Sequence, residues 1–195
     1  AMLIAANALL QNGFERWIFC QGMLFQSTDK WWGDHGRRDY PHEGIDLCLF
    51  RDRGGKIRRM DETTRIPVMH AGVVKAMFKD YLGQAVIIEH AHAGCDRGRF
   101  ISFYAHTKPR SEIQVGTLVK EGDIIATLAD TRHSKANILP HLHFSLGLPS
   151  ESFAYDRFVW NTLRNPEMII LLDPLAIIDG RYQTLDAANR DCRAL

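Results

Sequence analysis

The chain has 195 residues, 46% of them hydrophobic, which fits one globular domain with a terminal segment. Lysine and arginine total 24 against 23 for aspartate and glutamate, so no net field favours nucleic acid or an anionic membrane as a partner. No apolar run reaches the roughly 18 residues of a membrane-spanning helix. Residues 1–6 also lack the basic region and the long apolar region of a secretory signal.

The first forty residues divide into an apolar part and a polar part. Residues 3–20 carry apolar side chains at spacings that predict one helix, interrupted near Asn12-Gly13. Residues 26–41 are polar and rich in glycine and tryptophan, which predicts a long loop. A segment of this composition is expected to pack on the following domain, with occlusion of its groove as the alternative hypothesis.

Between residues 42 and 148 the apolar residues alternate with a period of two. Short runs of this kind, such as residues 45–50, 86–88 and 100–104, are separated by glycine turns. This pattern predicts a mainly β fold, an antiparallel β sandwich or open barrel. The charged stretch 51–59 reads as a solvated hairpin. The aromatic stretch 153–160 is expected in the core, with a groove wall as the alternative, and residues 183–195 are expected to form a loose tail.

His42 and Asp46 form the first candidate metal-ligand pair. In an extended segment, residues two apart share a face, so His42, Gly44 and Asp46 point the same way and Gly44 has no side chain to obstruct an ion. A helix would also bring His42 and Asp46 together, but Gly44 and the β-type run after it oppose a helix. Alone, this pattern is weak, because loops produce it by chance.

Two His-x-His pairs compete as the second half of the site. His90 and His92 lie where a strand runs into a turn, which predicts exposed side chains. His141 and His143 lie within a strand whose opposite face is apolar, so both imidazoles would line a cleft. We therefore favour the second pair. A catalytic zinc takes three protein ligands and leaves a fourth position for water, so one histidine remains for proton transfer.

The four cysteines, Cys20, Cys48, Cys95 and Cys192, contain no Cys-x-x-Cys pair, which argues against a zinc ribbon. Cys48 lies in an apolar strand pattern and is expected to be a buried thiol. One disulfide is compatible with these cysteines, but the sequence does not pair it.

Three ordered motifs give a more specific indication. Pro41-His-Glu-Gly-Ile-Asp46, Phe103-Tyr-Ala-His106-Thr and Pro140-His-Leu-His143-Phe resemble those of the lysostaphin/LytM-type zinc metallopeptidases, the peptidoglycan endopeptidases with a duplicated hybrid motif. The similarity covers about residues 41–178, where Val119-Lys-Glu-Gly122 and Asp173-Pro174 resemble intervening and closing segments of that family. On its own, His106 would be a surface or capping histidine.

The resemblance implies a role for each motif residue. His42, Asp46 and His143 would bind Zn²⁺, His141 would be the general base, and His106 would orient the water or stabilise the oxyanion. The residues alone leave the duties of His106 and His141 interchangeable. The implied substrate is the peptide portion of peptidoglycan, and the implied location is the periplasm or cell envelope. The expected organisation is an N-terminal extension (1–40), a catalytic domain (41–180) and a C-terminal tail (181–195).

Two other functions compete with this one. A non-catalytic member of the same fold would bind the wall or activate another hydrolase, but such proteins typically lose metal ligands, whereas every ligand position is filled here. Residues 115–125 also resemble strands of biotinyl or lipoyl carriers, with Lys75-Ala-Met77 as a faint match to the modified lysine. The long charged turn 129–140 departs from the family pattern and affects the expected substrate. Arg37 and Arg38 are candidates for binding a substrate carboxylate.

Overall fold

The computed structural model describes residues 1–91, 98–135, 137–178, 181–186 and 192. A short helix, α1 (Met2–Ala6), begins the chain. None of the helices in the described ranges is long and apolar enough to cross a membrane. The strands, in chain order, are β1 (Phe14–Cys20), β2 (Ile45–Leu47), β3 (Leu49–Asp52), β4 (Ile57–Arg59), β5 (Arg65–Pro67), β6 (Gly72–Lys79), β7 (Gln84–Ala91), β8 (Arg99–Pro109), β9 (Leu118–Val119), β10 (Ile124–Leu128), β11 (Leu142–Pro149), β12 (Ile169–Leu172) and β13 (Tyr182–Leu185).

The larger sheet has the order β12-β11-β8-β7-β6-β9, and all its pairs are antiparallel. Strand β11 is its central element for the site, because β8 pairs along one side while β2 and β12 occupy successive parts of the other side. Strand β10 bridges β8 and β5. This arrangement confirms the predicted mainly β class, with open antiparallel sheets and a short N-terminal helix.

The smaller sheet has the order β13-β1-β3-β4. Strand β1 corrects the prediction of a helix across residues 3–20, because only Met2–Ala6 is α-helical. Residues 17–20 are all buried, so neither helical nor strand alternation marks them. Aromatic and β-branched side chains in a two-sided strand favour pairing with neighbours over an isolated helix. The hairpin of β3 and β4 is the solvated hairpin that the charged stretch 51–59 predicts.

The expectation of a loose C-terminal tail is wrong for the described part of it. Strand β13 pairs in parallel with β1, with Trp17 opposite Tyr182 and Cys20 opposite Leu185. Cys20 and Cys192 form a disulfide across 172 residues of sequence. Backbone pairing and a covalent link therefore hold together the two ends of the described chain. Cys48 is buried and free, as expected, and Cys95 lies outside the described residues.

Two apolar clusters cover the faces of the larger sheet. One joins it to the smaller sheet through side chains such as Phe19, Leu49, Ile66 and Phe144. The other lies on its opposite face, where the segment that follows β11 covers Ile87 and Phe103 with aromatic and aliphatic residues, Phe153, Phe158, Leu163 and Ile169. The strands that carry the three motifs are thus fixed from both sides.

Candidate metal centre and groove

Strand register brings His42, Asp46 and His143 together. In the pairing of β2 with β11, Asp46 lies directly opposite His143. His42 precedes β2, and its backbone exchanges hydrogen bonds with the preceding loop, from His42 N to Ser27 O and from Gln26 N to His42 O, both 2.9 Å. Gly44 is required for a reason other than the predicted one. A Cβ at this position would lie 2.2 Å from the Phe144 carbonyl oxygen, so glycine allows the backbone of β11 to approach.

The three side chains form a compact triangle of donor atoms. His42 Nε2 lies 3.1 Å from Asp46 Oδ1 and 3.0 Å from His143 Nδ1, and the third side, from His143 Nδ1 to Asp46 Oδ1, is 3.1 Å. A zinc tetrahedron with bonds of about 2.0–2.1 Å has edges of about 3.3 Å. The triangle matches one face of such a tetrahedron, and its two nitrogens and one oxygen are donors that zinc accepts.

Hydrogen bonds on the far side of each imidazole fix which nitrogen is free. His42 Nδ1 donates to the Leu24 carbonyl at 3.0 Å, which leaves the lone pair on Nε2. His143 Nε2 lies 2.9 Å from Ser145 Oγ, and with this nitrogen as the donor the lone pair is on Nδ1. Bonds of this kind orient metal-binding histidines and set their tautomers. The Leu24 carbonyl thus directs the His42 lone pair into the triangle, and Ser145 does the same for His143 when its hydroxyl accepts.

The carboxylate of Asp46 is buried, with 1% of the residue exposed. Burial would raise its pKa, but in acid the charge and hydrogen bonds of the protonated forms of the surrounding histidines, His42 first, hold this pKa well below its usual value. Its second oxygen, Oδ2, accepts a hydrogen bond from Trp31 Nε1 at 2.7 Å, and Arg38 Nη2 lies 3.5 Å from the same oxygen. Asp46 is thus an ionised ligand candidate with both oxygens engaged.

His141 lies beside the triangle without joining it. Its Nδ1 donates to the Leu139 carbonyl at 2.8 Å, so Nε2 carries the lone pair, 3.9 Å from Asp46 Oδ1. Burial lowers the pKa of His141 to about 3, an effect that Asp46 only partly offsets. The imidazole is therefore neutral near pH 7 and has a free nitrogen.

A buried carboxylate holds His106. Strand β8 pairs with β11 so that Ala105 lies opposite His143, which places His106 near His141, with ring centroids 4.7 Å apart. Asp80 Oδ2 accepts the His106 backbone N–H at 2.7 Å, and Asp80 Oδ1 lies 3.2 Å from His106 Nδ1. Oδ1 also accepts the backbone N–H groups of Leu82 and Gly83. His106 has a φ of 60°, a left-handed conformation that is uncommon without glycine and that the Asp80 contact supports.

Trp160 forms a wall of the groove, so the alternative for the aromatic stretch is correct for this residue, whereas Phe153 is in the core. The Trp160 ring stacks on His106, with ring centroids 5.8 Å apart and planes 10° apart, and its centroid lies 5.2 Å from that of His143. Buried Glu43 accepts hydrogen bonds from Trp160 Nε1 at 3.2 Å and Arg164 Nε at 2.6 Å. Glu43 is therefore engaged by Trp160 and Arg164 and lines the same groove as the triangle without being one of its three donors.

The groove itself has a volume of about 330 Å³ and contains all five motif residues. Its rims are formed by Trp32, Arg38 and Tyr40 from the N-terminal loop, by Tyr81 and Leu82 after β6, by Ile138 before β11, and by Trp160 and Arg164 after β11. The N-terminal segment thus lies at the site rather than far from it. Arg38 directs donors to the carbonyls of Gly22 and Asp29, at 2.7 and 3.1 Å, so these donors are used within the protein.

The competing sequence candidates lie elsewhere. His90 is fully buried within β7, which contradicts the expected exposed turn, because its Nε2 lies 2.6 Å from Ser102 Oγ and its Nδ1 donates to the Ala71 carbonyl at 3.0 Å. His92 is outside the described residues. Lys75 lies within β6, at an irregularity of the pairing with β7, and its Nζ is 3.5 Å from Glu89 Oε1. A carrier lysine at an exposed hairpin tip is therefore not found at this position.

Together these features define an open β fold with a buried His-Asp-His cluster beside a groove. The chain belongs to peptidase family M23, whose sequence profile matches residues 41–153. That range contains His42, Asp46, His106, His141 and His143, but neither Trp31 nor Trp160. No curated protein sequence matches the chain.

Several solved structures are similar to this chain. Lysostaphin, determined by NMR, is 22% identical over 74% of this chain and 46% of its own, with a TM-score of 0.45. LytU is 23% identical over 80% of this chain and 81% of its own, with a TM-score of 0.44. A zinc-containing peptidase from Vibrio cholerae is 24% identical over 69% of this chain and 36% of its own, with a TM-score of 0.38. This chain thus spans just under half the length of the lysostaphin chain.

Proposed function

We propose that this protein is a zinc-dependent endopeptidase that hydrolyses amide bonds in the peptide portion of bacterial peptidoglycan. The observation that carries the proposal is the donor triangle of His42, Asp46 and His143, with the free nitrogen of His141 beside it. Membership of a peptidase family supports the reaction. The resemblance of the three motifs to the lysostaphin/LytM-type peptidoglycan endopeptidases supports the substrate class. The domain bounds 1–40, 41–180 and 181–195 are part of the proposal.

His42 Nε2, Asp46 Oδ1 and His143 Nδ1 would hold the zinc ion. Zinc bound by them supplies a Lewis acid and lowers the pKa of a water toward about 7. The second bonds of both histidines keep their lone pairs directed at the ion.

The two remaining histidines have different roles: His141 transfers protons, and His106 stabilises the oxyanion. His141 Nε2 takes the proton of the attacking water and delivers it to the leaving amine, because the Leu139 carbonyl holds the other nitrogen protonated. Asp80 accepts the backbone N–H of His106 and its Oδ1 lies 3.2 Å from Nδ1, while the Nε2–H of this imidazole would donate to the substrate oxyanion. Trp160, which stacks on His106, limits how an extended peptide lies over the His106 ring.

The disulfide supports a location outside the cytoplasm. Structural disulfides persist in oxidising compartments such as the periplasm and the extracellular space. The Cys20–Cys192 bond joins two distant parts of this chain, so we place the protein in the cell envelope, where its substrate lies.

Two matched variants test the division of roles. His143→Ala should lose both stoichiometric zinc, measured by elemental analysis, and the release of soluble fragments from purified peptidoglycan. His141→Ala should keep zinc and lose only fragment release, since a base is not a ligand. Zinc retained by His143→Ala, or lost from His141→Ala, would overturn the assignment. A wild-type protein that binds zinc but never cleaves would instead indicate a non-catalytic wall-binding member.

A further inference from the structure

Residues 26–40, in the loop between β1 and β2, contribute to the candidate metal centre, although they lie outside the family-matched residues 41–153. Backbone bonds from Arg38 N to Thr28 O, 2.7 Å, and from Lys30 N to Gly36 O, 2.8 Å, close the loop on itself. Trp31 lies within it and is only 2% exposed. A tryptophan in a polar, glycine-rich loop is thus as buried as the side chains of the core.

Trp31 contacts two of the five motif residues directly. Its Nε1 donates to Asp46 Oδ2 at 2.7 Å, while the other carboxylate oxygen, Oδ1, faces His42 and His143 at 3.1 Å. Its ring packs edge-on against His141, with centroids 5.1 Å apart and planes 86° apart. The indole therefore touches both a candidate ligand and the candidate base.

The hydrogen bond matters because a carboxylate is free to present either oxygen. The terminal torsion of aspartate is broad and roughly two-fold, so a free Asp46 could turn Oδ2, or both oxygens, toward the ion. A donor on Oδ2 removes this freedom and satisfies a buried oxygen that would otherwise be costly. Arg38 Nη2 adds charge 3.5 Å from the same oxygen, whereas Trp31 Nε1 lies at 2.7 Å, so Trp31 supplies the shorter, directional bond.

We propose that Trp31 is a positioning residue that fixes Asp46 as a ligand through Oδ1 alone, so that a loop outside the family-matched segment completes the metal centre. This inference rests on the proposed function for the identity of the ion. Partners of this kind typically change metal affinity by about 10–100-fold.

The test compares Trp31→Phe with Trp32→Phe in the full chain, freed of metal and titrated with zinc in competition with a fluorescent chelator. Phenylalanine keeps an aromatic ring against His141 but has no N–H. Trp32 is the matched control, because it packs against Trp31 and under the Arg38 guanidinium, which lies 4.3 Å from its ring centroid. We expect zinc affinity to fall about 10–100-fold in Trp31→Phe and less than about threefold in Trp32→Phe. The thermal midpoint of each metal-free variant is recorded alongside.

A second variant decides the question if Trp31→Phe does not fold. Benzothienylalanine at position 31 has the shape of tryptophan with sulfur in place of the N–H, so it removes the bond and little else. The same loss of affinity is expected. Unchanged zinc affinity in the folded variants would overturn the inference while leaving the proposed function intact, whereas a wild-type chain that binds no zinc would overturn both.

Discussion

Asp80 gives the most informative single substitution, because one buried carboxylate holds both the backbone and the ring of His106. Its side chain is fully buried, and it accepts the backbone N–H groups of His106, Leu82 and Gly83 at 2.7–2.9 Å. Burial would raise the pKa of Asp80, but the hydrogen bonds and the charge of His106 lower it from 3.8 to about 2. Asp80→Asn removes the charge at almost constant volume.

The contribution of Asp80 to the free energy of unfolding follows from this pKa. A carboxyl group whose pKa falls from 3.8 to about 2 on folding contributes about 2.5 kcal/mol at neutral pH. Because the pKa is lowered in the folded state, this contribution is complete above about pH 4–5 and is lost as the pH falls through about 2. Asp80→Asn should therefore lower the thermal midpoint at pH 7 by roughly 5–10 °C. The difference from wild type should shrink steadily below pH 4.

The assay is denaturant and thermal unfolding of the metal-free chain between pH 2.5 and 7. Asp123→Asn is the matched control, because Asp123 accepts the Lys120 backbone N–H at 2.8 Å in an exposed turn. It should change the free energy of unfolding by less than about 0.5 kcal/mol. With zinc, kcat of Asp80→Asn should fall about 10–100-fold through misplacement of His106, while zinc content stays at wild-type level.

Two results would refute this reasoning. Equal stability of wild type and Asp80→Asn at pH 7 would show that the carboxylate charge contributes nothing to folding. A stability difference that stays constant from pH 7 to pH 2.5 would assign the effect to backbone hydrogen bonds alone.

Two further substitutions test the scaffold. Gly44→Ala should destabilise the metal-free chain by about 3 kcal/mol in urea unfolding, because the new Cβ would lie 2.2 Å from the Phe144 carbonyl oxygen and push β2 from β11; an unchanged unfolding midpoint would contradict the close approach. Cys192→Ser should lower the free energy of unfolding by about 2–5 kcal/mol, since the bond to Cys20 closes a loop of 172 residues. Cys20→Ser and the double variant should match it under oxidising conditions, and a larger loss in the double variant would count against a single shared bond.

The sequence predicts the sheet-forming region well, because apolar and polar side chains alternate with a period of two, even in a strand such as β11 that is buried on both faces. Strand β11 is an example: Leu142, Phe144 and Leu146 alternate with His143 and Ser145, and the side chains of this strand do separate into an apolar set and a polar set at the site. The three ordered motifs then identify the family. The grouping of His42, Asp46 and His143 follows from the strand pairing of β2 and β11.

Strand β1 and the loop before His42 could not be predicted in the same way. Residues 17–20 are buried on both faces, so the alternation that marks a strand is missing. Trp31 and Asp80 reach Asp46 and His106 across 15 and 26 positions, through contacts that no local pattern encodes. The prediction that His90 is exposed is wrong for a related reason, since its burial depends on Ser102 in the neighbouring strand.

We propose that one zinc ion at the His42–Asp46–His143 triangle makes this chain an amide hydrolase. The most direct measurement is the number of new amino groups released from purified peptidoglycan by the metal-free chain as zinc is added back. We expect no release of amino groups without metal and a rise that saturates at one zinc per chain. Undiminished release after complete metal removal, or no release at one equivalent of bound zinc, would contradict it.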